Sequence, residues 1–340
     1  MRAGFDPAVD GEEQVTAAAE DTLMAGEPLG DETQLLLAAY GMENVFEGYD
    51  MAALAAHYSG KVAASPAAAA LIEDKYALLE GRVEHLARTG AAMDFYAGPA
   101  TYDAHGLLFG TLVPAAVAEG ALVAMLGAVH LLGCEQQART AAVVYASRVG
   151  RRLVCVKTAA ALTVGVACYA LVVAVTLAIL TARWDFAGVW DASVSSQFNV
   201  IVEGMVARPF VTWVDFTVVQ YLAASLALGV LLVLACGIAA SIAGVLAGNA
   251  YRAALGLAAV LVGAFTASQL LPSAGWWVTS SLLDLLVVRV WARARLWFTD
   301  GGAWTLVPWQ DVAAPLLGIV LFGALFALVV RMRERKDLRL

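Results

Sequence analysis

Five stretches of this chain are long and apolar enough to cross a bilayer as helices. A span needs about 20 predominantly apolar residues. Residues 107–133 qualify, interrupted by Glu119, and 158–181 carry no charge at all. Residues 216–249 hold one span at 217–240 and a continuation, and 253–271 and 313–330 complete the set. Charged residues make up 15% of the chain and hydrophobic ones 61%, with a mean hydropathy of +0.74. An ordinary soluble domain carries roughly a quarter charged residues, so that class is excluded. The expectation is an all-α polytopic membrane helix bundle over 106–340.

Charge is divided unevenly. Residues 1–105 hold 18 acids and 5 bases, whereas 106–340 hold 11 acids and 16 bases. The acidic part reads as an extramembrane region. A basic footprint for nucleic acid is absent. Residues 1–30 are acidic and poor in bulky apolar groups, which predicts disorder, and they lack the apolar core of a signal peptide. Within 31–105, residues 31–57 and 66–88 have helical apolar spacing. In the second, Leu71, Tyr76, Leu79, Val83 and Leu86 form the apolar face, with Glu73, Lys75, Glu80 and Glu84 between them. Ser65-Pro66 is a helix start. The expected structure is a small helical cap over the first span. Cys134, Cys155, Cys168 and Cys236 have neither metal-ligand nor disulfide spacing and read as small apolar residues.

The loops sort by charge. Residues 134–157, the turn at Arg252 and 331–340 together carry 11 Lys/Arg and 3 acids, against 5 Arg and 7 acids in 182–215 and 272–312. The positive-inside tendency places the first set in the cytoplasm. All nine Trp fall in the second set: Trp184, Trp190, Trp213, Trp276, Trp277, Trp291, Trp297, Trp304 and Trp309. Trp favours the headgroup region, so these loops are expected along the outer leaflet. Five spans with a cytoplasmic C-terminus put residues 1–105 outside. A long acidic tail without a signal is hard to translocate, and a further span before residue 1 is therefore expected.

The segment between the first two spans is the most informative about function. It reads Cys134-Glu135-Gln136-Gln137-Ala138-Arg139-Thr140, then 141–146 including Tyr145, then Ser147-Arg148-Val149-Gly150-Arg151-Arg152, and ends at Lys157. Five cations and one carboxylate lie in it. This order of elements resembles the permeases of type-2 ABC exporters. In that family a span ends at an acidic residue, a Gly- or Arg-Thr pair follows, then a short apolar helix, a Ser/Thr-Pro or Ser-Arg step, basic residues and a Lys opening the next span. The closing run from Arg331 to Lys336-Asp337-Leu338 is similar to the family's basic tail. His105, Leu107-Leu108-Phe109 and Glu119 resemble a subgroup with a large outer segment before the second span. The resemblance covers about 106–340. The proline that usually follows Ser147 is missing, and so is the family's first span.

The resemblance implies a coupling helix at about Gln136–Ala146, held by a separate cytoplasmic ATPase. Glu135, Arg139, Thr140, Tyr145, Ser147, Arg148, Arg151, Arg152 and Lys157 would form the coupling region. It also implies a second permease, either a copy of this chain or a relative, and transport of an amphipathic compound, peptide or lipid-like substrate. The chain lacks a GxxxxGK[ST] phosphate loop, so no cofactor is expected on it, and ATP with magnesium is assigned to the partner. A basic inside loop of any polytopic protein is the plainer alternative. Two other functional readings stay open. One is a membrane scaffold or sensor. The other is an intramembrane enzyme, for which HExxH, paired intramembrane aspartates and a Ser/His pair at catalytic depth are all lacking.

A charge at the bilayer centre costs roughly 2.5–3.5 kcal/mol on insertion scales. Glu119 is therefore read as a pathway carboxylate, as one near the outer interface, or as one paired inside the bundle. His130 is expected to pack inside. Gly237, Gly244 and Gly248 form a small-residue face for helix packing, within one subunit or across a dimer seam. Residues 276–311 are expected as an outer interfacial segment. Its Arg289, Arg293 and Arg295 would snorkel to headgroups or hold an anionic lipid-like group.

Overall fold

The computed structural model describes residues 44–337 except 95, 141–142, 145–152, 185, 187, 204–205, 275, 277–278, 281–282 and 284, together with Thr22 and Met24. Two extramembrane helices come first, α1 (Met51–Lys61) and α2 (Pro66–Thr89). The bundle follows, with α3 (Thr101–Gln137), α4 (Leu153–Arg183), α5 (Val218–Ala247), α6 (Ala250–Ser273) and α8 (Gln310–Asp337). A two-stranded antiparallel hairpin, β1 (Val200–Glu203) and β2 (Val206–Pro209), lies between α4 and α5, and the short α7 (Val287–Ala292) lies between α6 and α8. The five bundle helices are long and apolar enough to cross a membrane, and the chain is an all-α multi-pass membrane protein.

Local chemistry sets several ends. Asp50 accepts from Ala53 N at 2.7 Å and starts α1. Ser65 caps α2, with Pro66 in its first turn, where its missing N–H costs nothing. Thr217 and Gln220 form a reciprocal capping box at the head of α5, satisfying two otherwise orphaned amides. Within α3 the helix widens to π geometry over Leu108–Leu112. Pro114, two residues on, has no N–H to return to the preceding turn, and the wider turn accommodates that loss.

α3 and α5 are the centre of the bundle. Their most apolar windows are 56% and 50% buried, against 11%, 6% and 17% for α4, α6 and α8. Helix contact here depends on small residues rather than on a hydrophobic drive. A Cβ placed on Gly165 of α4 would lie 2.4 Å from Ala124 Cβ and 3.0 Å from Ala124 Cα, so only glycine lets these backbones meet. At Gly229 of α5 a Cβ would lie 2.3 Å from the Tyr169 hydroxyl, which donates to Leu226 O at 3.1 Å.

The segments outside the bundle gather at two ends. α1, α2, the β-hairpin and residues 287–309 form one, the cap end. The α3–α4 connection, the α5–α6 turn and the tail of α8 form the other, the loop end. The helical pair α1–α2 does not sit over the first span alone. It docks on the loops, where its core residues Tyr58, Ile72, Tyr76 and Leu79 meet Val211 and Ala303. The apolar face of α2 also differs from the expected one. Ile72 is buried and Leu71 is 41% exposed, and Lys75 lies on the buried face rather than in solvent. Residues 31–43, part of the first expected helix, lie outside the described residues.

The tryptophans do not all lie along a leaflet. Trp297 is 1% exposed and belongs to the bundle core, with its indole N–H donating to Val290 O at 2.7 Å. A ring this large is worth more inside a packed core than at a rim. The expected outer interfacial segment is likewise folded into the protein. Arg289 is buried, and the guanidiniums of Arg289 and Arg293 lie 5.2 and 4.7 Å from the Trp304 ring centroid. Arg295 stacks 3.8 Å from the Tyr102 centroid and donates to Tyr102 O. These arginines turn towards aromatic faces and carbonyls.

Candidate functional site

At the loop end α3 stops sharply. Arg139 takes a left-handed φ of 55°. Thr140 N donates to Glu135 O at 2.9 Å and Arg139 N to Gln136 O at 3.2 Å, the paired bonds of a Schellman end. Just beyond it, Val144 N donates to Thr140 O at 3.0 Å. α3 thus ends in a defined turn rather than a frayed end.

The base of this connection is clasped. Lys157, in the first turns of α4, donates to Leu131 O at 2.6 Å and pairs with Glu135. Cys134 Sγ lies 3.2 Å from the same ammonium. Glu135 is 7% exposed, so the pair is shielded from competing water and holds the two helices at one spacing. Glu135, Arg139, Thr140 and Lys157 are therefore brought together. Tyr145, Ser147, Arg148, Arg151 and Arg152 lie outside the described residues.

The remaining expected residues fall elsewhere. Gly237 faces Leu162 and Ala124, and Gly244 faces Leu132 and Val129, so both sit against neighbouring helices of the same chain. Gly248 is not on a helix face. It is the left-handed residue that ends α5, beside Gln136. His130 is exposed on α3 rather than packed inside, because among the described residues its face of the helix meets no other element. Glu119 is exposed too, and among the described residues neither a hydrogen bond nor an ion pair reaches its carboxylate.

Sequence reasoning missed a second polar site, inside the cap. Consecutive left-handed glycines, Gly301 and Gly302, turn the chain so that three carbonyls point one way. Lys75 donates to those of Asp300, Gly302 and Thr305 at 3.0, 2.7 and 2.8 Å, satisfying all three of its protons. Asp300 accepts from Arg208 at 2.7 Å and from the Tyr76 hydroxyl at 2.5 Å. Arg208 reaches Glu203 at 3.4 Å, and Glu203 accepts from Tyr58. Two cations thus balance two carboxylates. Lys75 is 0% and Asp300 1% exposed.

Burial pushes Lys75 down to about 8, against the opposing pull of Asp300. Burial alone would raise the Asp300 carboxyl, but Arg208 and Lys75 hold it below the usual range. Tyr76 is raised, first by burial and then by Asp300. The signal for Lys75 was its spacing, since it lies three residues after Ile72 and four before Leu79.

No group of three or more His, Cys, Asp or Glu could hold a metal among the described residues. In the cap network Lys75, Arg208, Asp300 and Glu203 join three distant parts of the chain, which suits a structural latch. The loop-end clasp borders a segment rich in cations, which suits a contact with another protein. Compared with protein-family models, with characterised proteins and with solved structures, the chain matches none.

Proposed function

We propose that this chain is the membrane-spanning subunit of an ATP-driven exporter resembling the type-2 ABC permeases. In this reading the loop end is cytoplasmic, the cap end is on the outside, and residues 136–152 are gripped by a separate ATPase subunit that binds ATP and magnesium. The membrane is the cytoplasmic membrane of a bacterium, a second permease completes the complex, and the chain itself performs no chemistry.

The observation that supports this reading is the clasped corner. An ATPase can move a membrane domain only through a rigid element fixed to the spans on both sides. Glu135 closes α3, Lys157 opens α4, and their pairing with the Schellman end fixes the base of the basic segment. The cations Arg148, Arg151 and Arg152 then offer charge to an acidic groove on the partner.

The test is recovery of a partner by the tagged, detergent-solubilised chain, with and without Arg148→Glu, Arg151→Glu and Arg152→Glu. Co-purification of an ATPase by wild type and its loss in the triple variant supports the reading and places the contact. A folded, monodisperse protein that brings no ATPase in either form overturns it.

A further inference from the structure

On α3, the residues Thr111, Ala115, Glu119, Leu122, Leu126 and His130 are exposed. They recur at steps of four, four, three, four and four, which is a single stripe along one side of a helix. The opposite side is packed against α4 and α5, where Gly120 meets Tyr169 and Val233. The stripe is thus a side of the central helix that the described residues leave open.

The depth of Glu119 makes the open side informative. It lies 18 residues from each end of Thr101–Gln137, or about 27 Å at the helical rise. Its neighbour Gly120 is level with Tyr169 and Val233. Those residues lie at the middle of α4 (Leu153–Arg183) and of α5 (Val218–Ala247). Three helices therefore agree that Glu119 is at mid-membrane depth. Elsewhere the chain keeps charge out of this zone. Residues 158–182, 218–247, 253–273 and 312–330 contain no Asp, Glu, Lys or Arg. An ionised carboxylate facing hydrocarbon at this depth is costly, and such groups face water or protein.

We infer that this open face of α3 lines a water-filled path through the membrane, and that Glu119 on it selects a cationic amphipathic compound. The inference rests on the exporter reading and names its substrate class. A carboxylate flanked along one stripe by Ala115, Leu122 and Leu126 offers one negative point and apolar surface on either side. A cation with an apolar body answers both features. An anion meets a like charge whose field the low-dielectric walls of the path focus, and a neutral polar compound leaves the apolar flanks unused. Thr111 and His130 keep the two ends of the stripe wettable.

The test uses the full chain in lipid nanodiscs, with Ala115→Cys and Leu126→Cys made separately, one on each side of Glu119. Each is treated with a cationic (trimethylammonioethyl) or an anionic (sulfonatoethyl) methanethiosulfonate. Modification is read at the relevant peptide by mass spectrometry, so the native cysteines need not be removed. Both positions should react, and the cationic reagent should be favoured by about tenfold, as expected for charge steering in a confined cleft. Glu119→Gln should abolish the preference while leaving the cysteines reactive. In parallel, tetraphenylphosphonium should bind wild type and Glu119→Asp, weaken about tenfold in Glu119→Gln, a difference of about 1.4 kcal/mol, and tetraphenylborate should not compete.

Unreactive cysteines would mean a dry face, covered by lipid or by a second copy of the chain, and would overturn the inference. So would reactivity without charge preference, or phosphonium binding unchanged in Glu119→Gln. The ATPase recovery described above is independent of these readouts. A cation-selective face in a chain that recovers no ATPase sinks the exporter reading and keeps the face. An ATPase partner with a dry face does the reverse.

Discussion

At the cap end, Asp300 is almost wholly buried and gathers Arg208, Lys75 and Tyr76. At the loop end, Glu135 pairs with Lys157, and Arg148, Arg151 and Arg152 lie between the two in sequence. Both sites are ion pairs joining distant parts of the chain, yet they are built for different ends. The cap turns a lysine and an arginine inward to internal contacts. The loop end uses one pair to hold α3 and α4 at one spacing. Buried charge in the cap closes a joint among distant segments, whereas at the loop end a single ion pair sets the spacing of two spans.

The largest expected effect lies at the cap. Asp300→Ala leaves Arg208 and Lys75 buried without their shared acid, and removing one partner of such a network costs about 3–5 kcal/mol. The melting midpoint in detergent should fall and protease should cut residues 44–100 faster. Cleavage at Arg148, Arg151 and Arg152 should not change. If both ends loosen together, the ends are not separate joints and the comparison breaks.

Glu135→Ala should act in the opposite place. Lys157 keeps its Leu131 carbonyl, so the cost is about 1–3 kcal/mol, that of one unmade charged hydrogen bond. Tryptic cutting at the basic segment should speed up while the cap remains protected.

A pH series sharpens the contrast further. Lys75 is held near 8 in the folded protein against an ordinary 10.5. Between these values the unfolded chain binds a proton that the folded one has lost. Stability should therefore rise with pH across that window, by up to about 1.4 kcal/mol per pH unit, and stay flat below it with respect to this group. The difference in melting midpoint between wild type and Lys75→Met isolates the effect, because other titrating groups are common to both.

The smallest effect is expected at the rim of the same cap. Arg82 and His85 of α2 meet Asp215 at 2.5 and 2.9 Å, but Asp215 is 63% exposed. Water and salt screen such a pair, so Asp215→Asn should cost less than about 1 kcal/mol. A loss as large as that of Asp300→Ala, in the same melting assay, would show that position within the cap matters less than the number of ion pairs.

Much of the scaffold is legible from residues alone. The apolar runs, Ser65-Pro66 before α2 and Thr217 with Gln220 before α5 are local signals, and the helices start where those signals stand. The candidate sites are less so. Lys75 looks like a solvated residue among Glu73 and Glu80, because nothing nearby in sequence announces the three carbonyls 225 to 230 residues away. Trp297 and Arg289 look interfacial because composition reports preference for a zone, not the presence of a packed neighbour. His130 looks internal because apolar flanks are shared by a helix face packed in the core and by one left exposed. Gly248 fits a small-residue face until the helix ends one residue before it.

Sequence by itself determined that this is a membrane bundle with an acidic extramembrane region, and where its five spans run. Those properties follow from chain length, apolarity and hydrogen bonding within a few residues, and a bilayer tests each span separately. Only the tertiary structure decided which polar residues are joints and which are left open. Whether Lys75 is solvated or sealed, and whether Glu119 faces a neighbour or nothing, depends on what the rest of the chain brings against it.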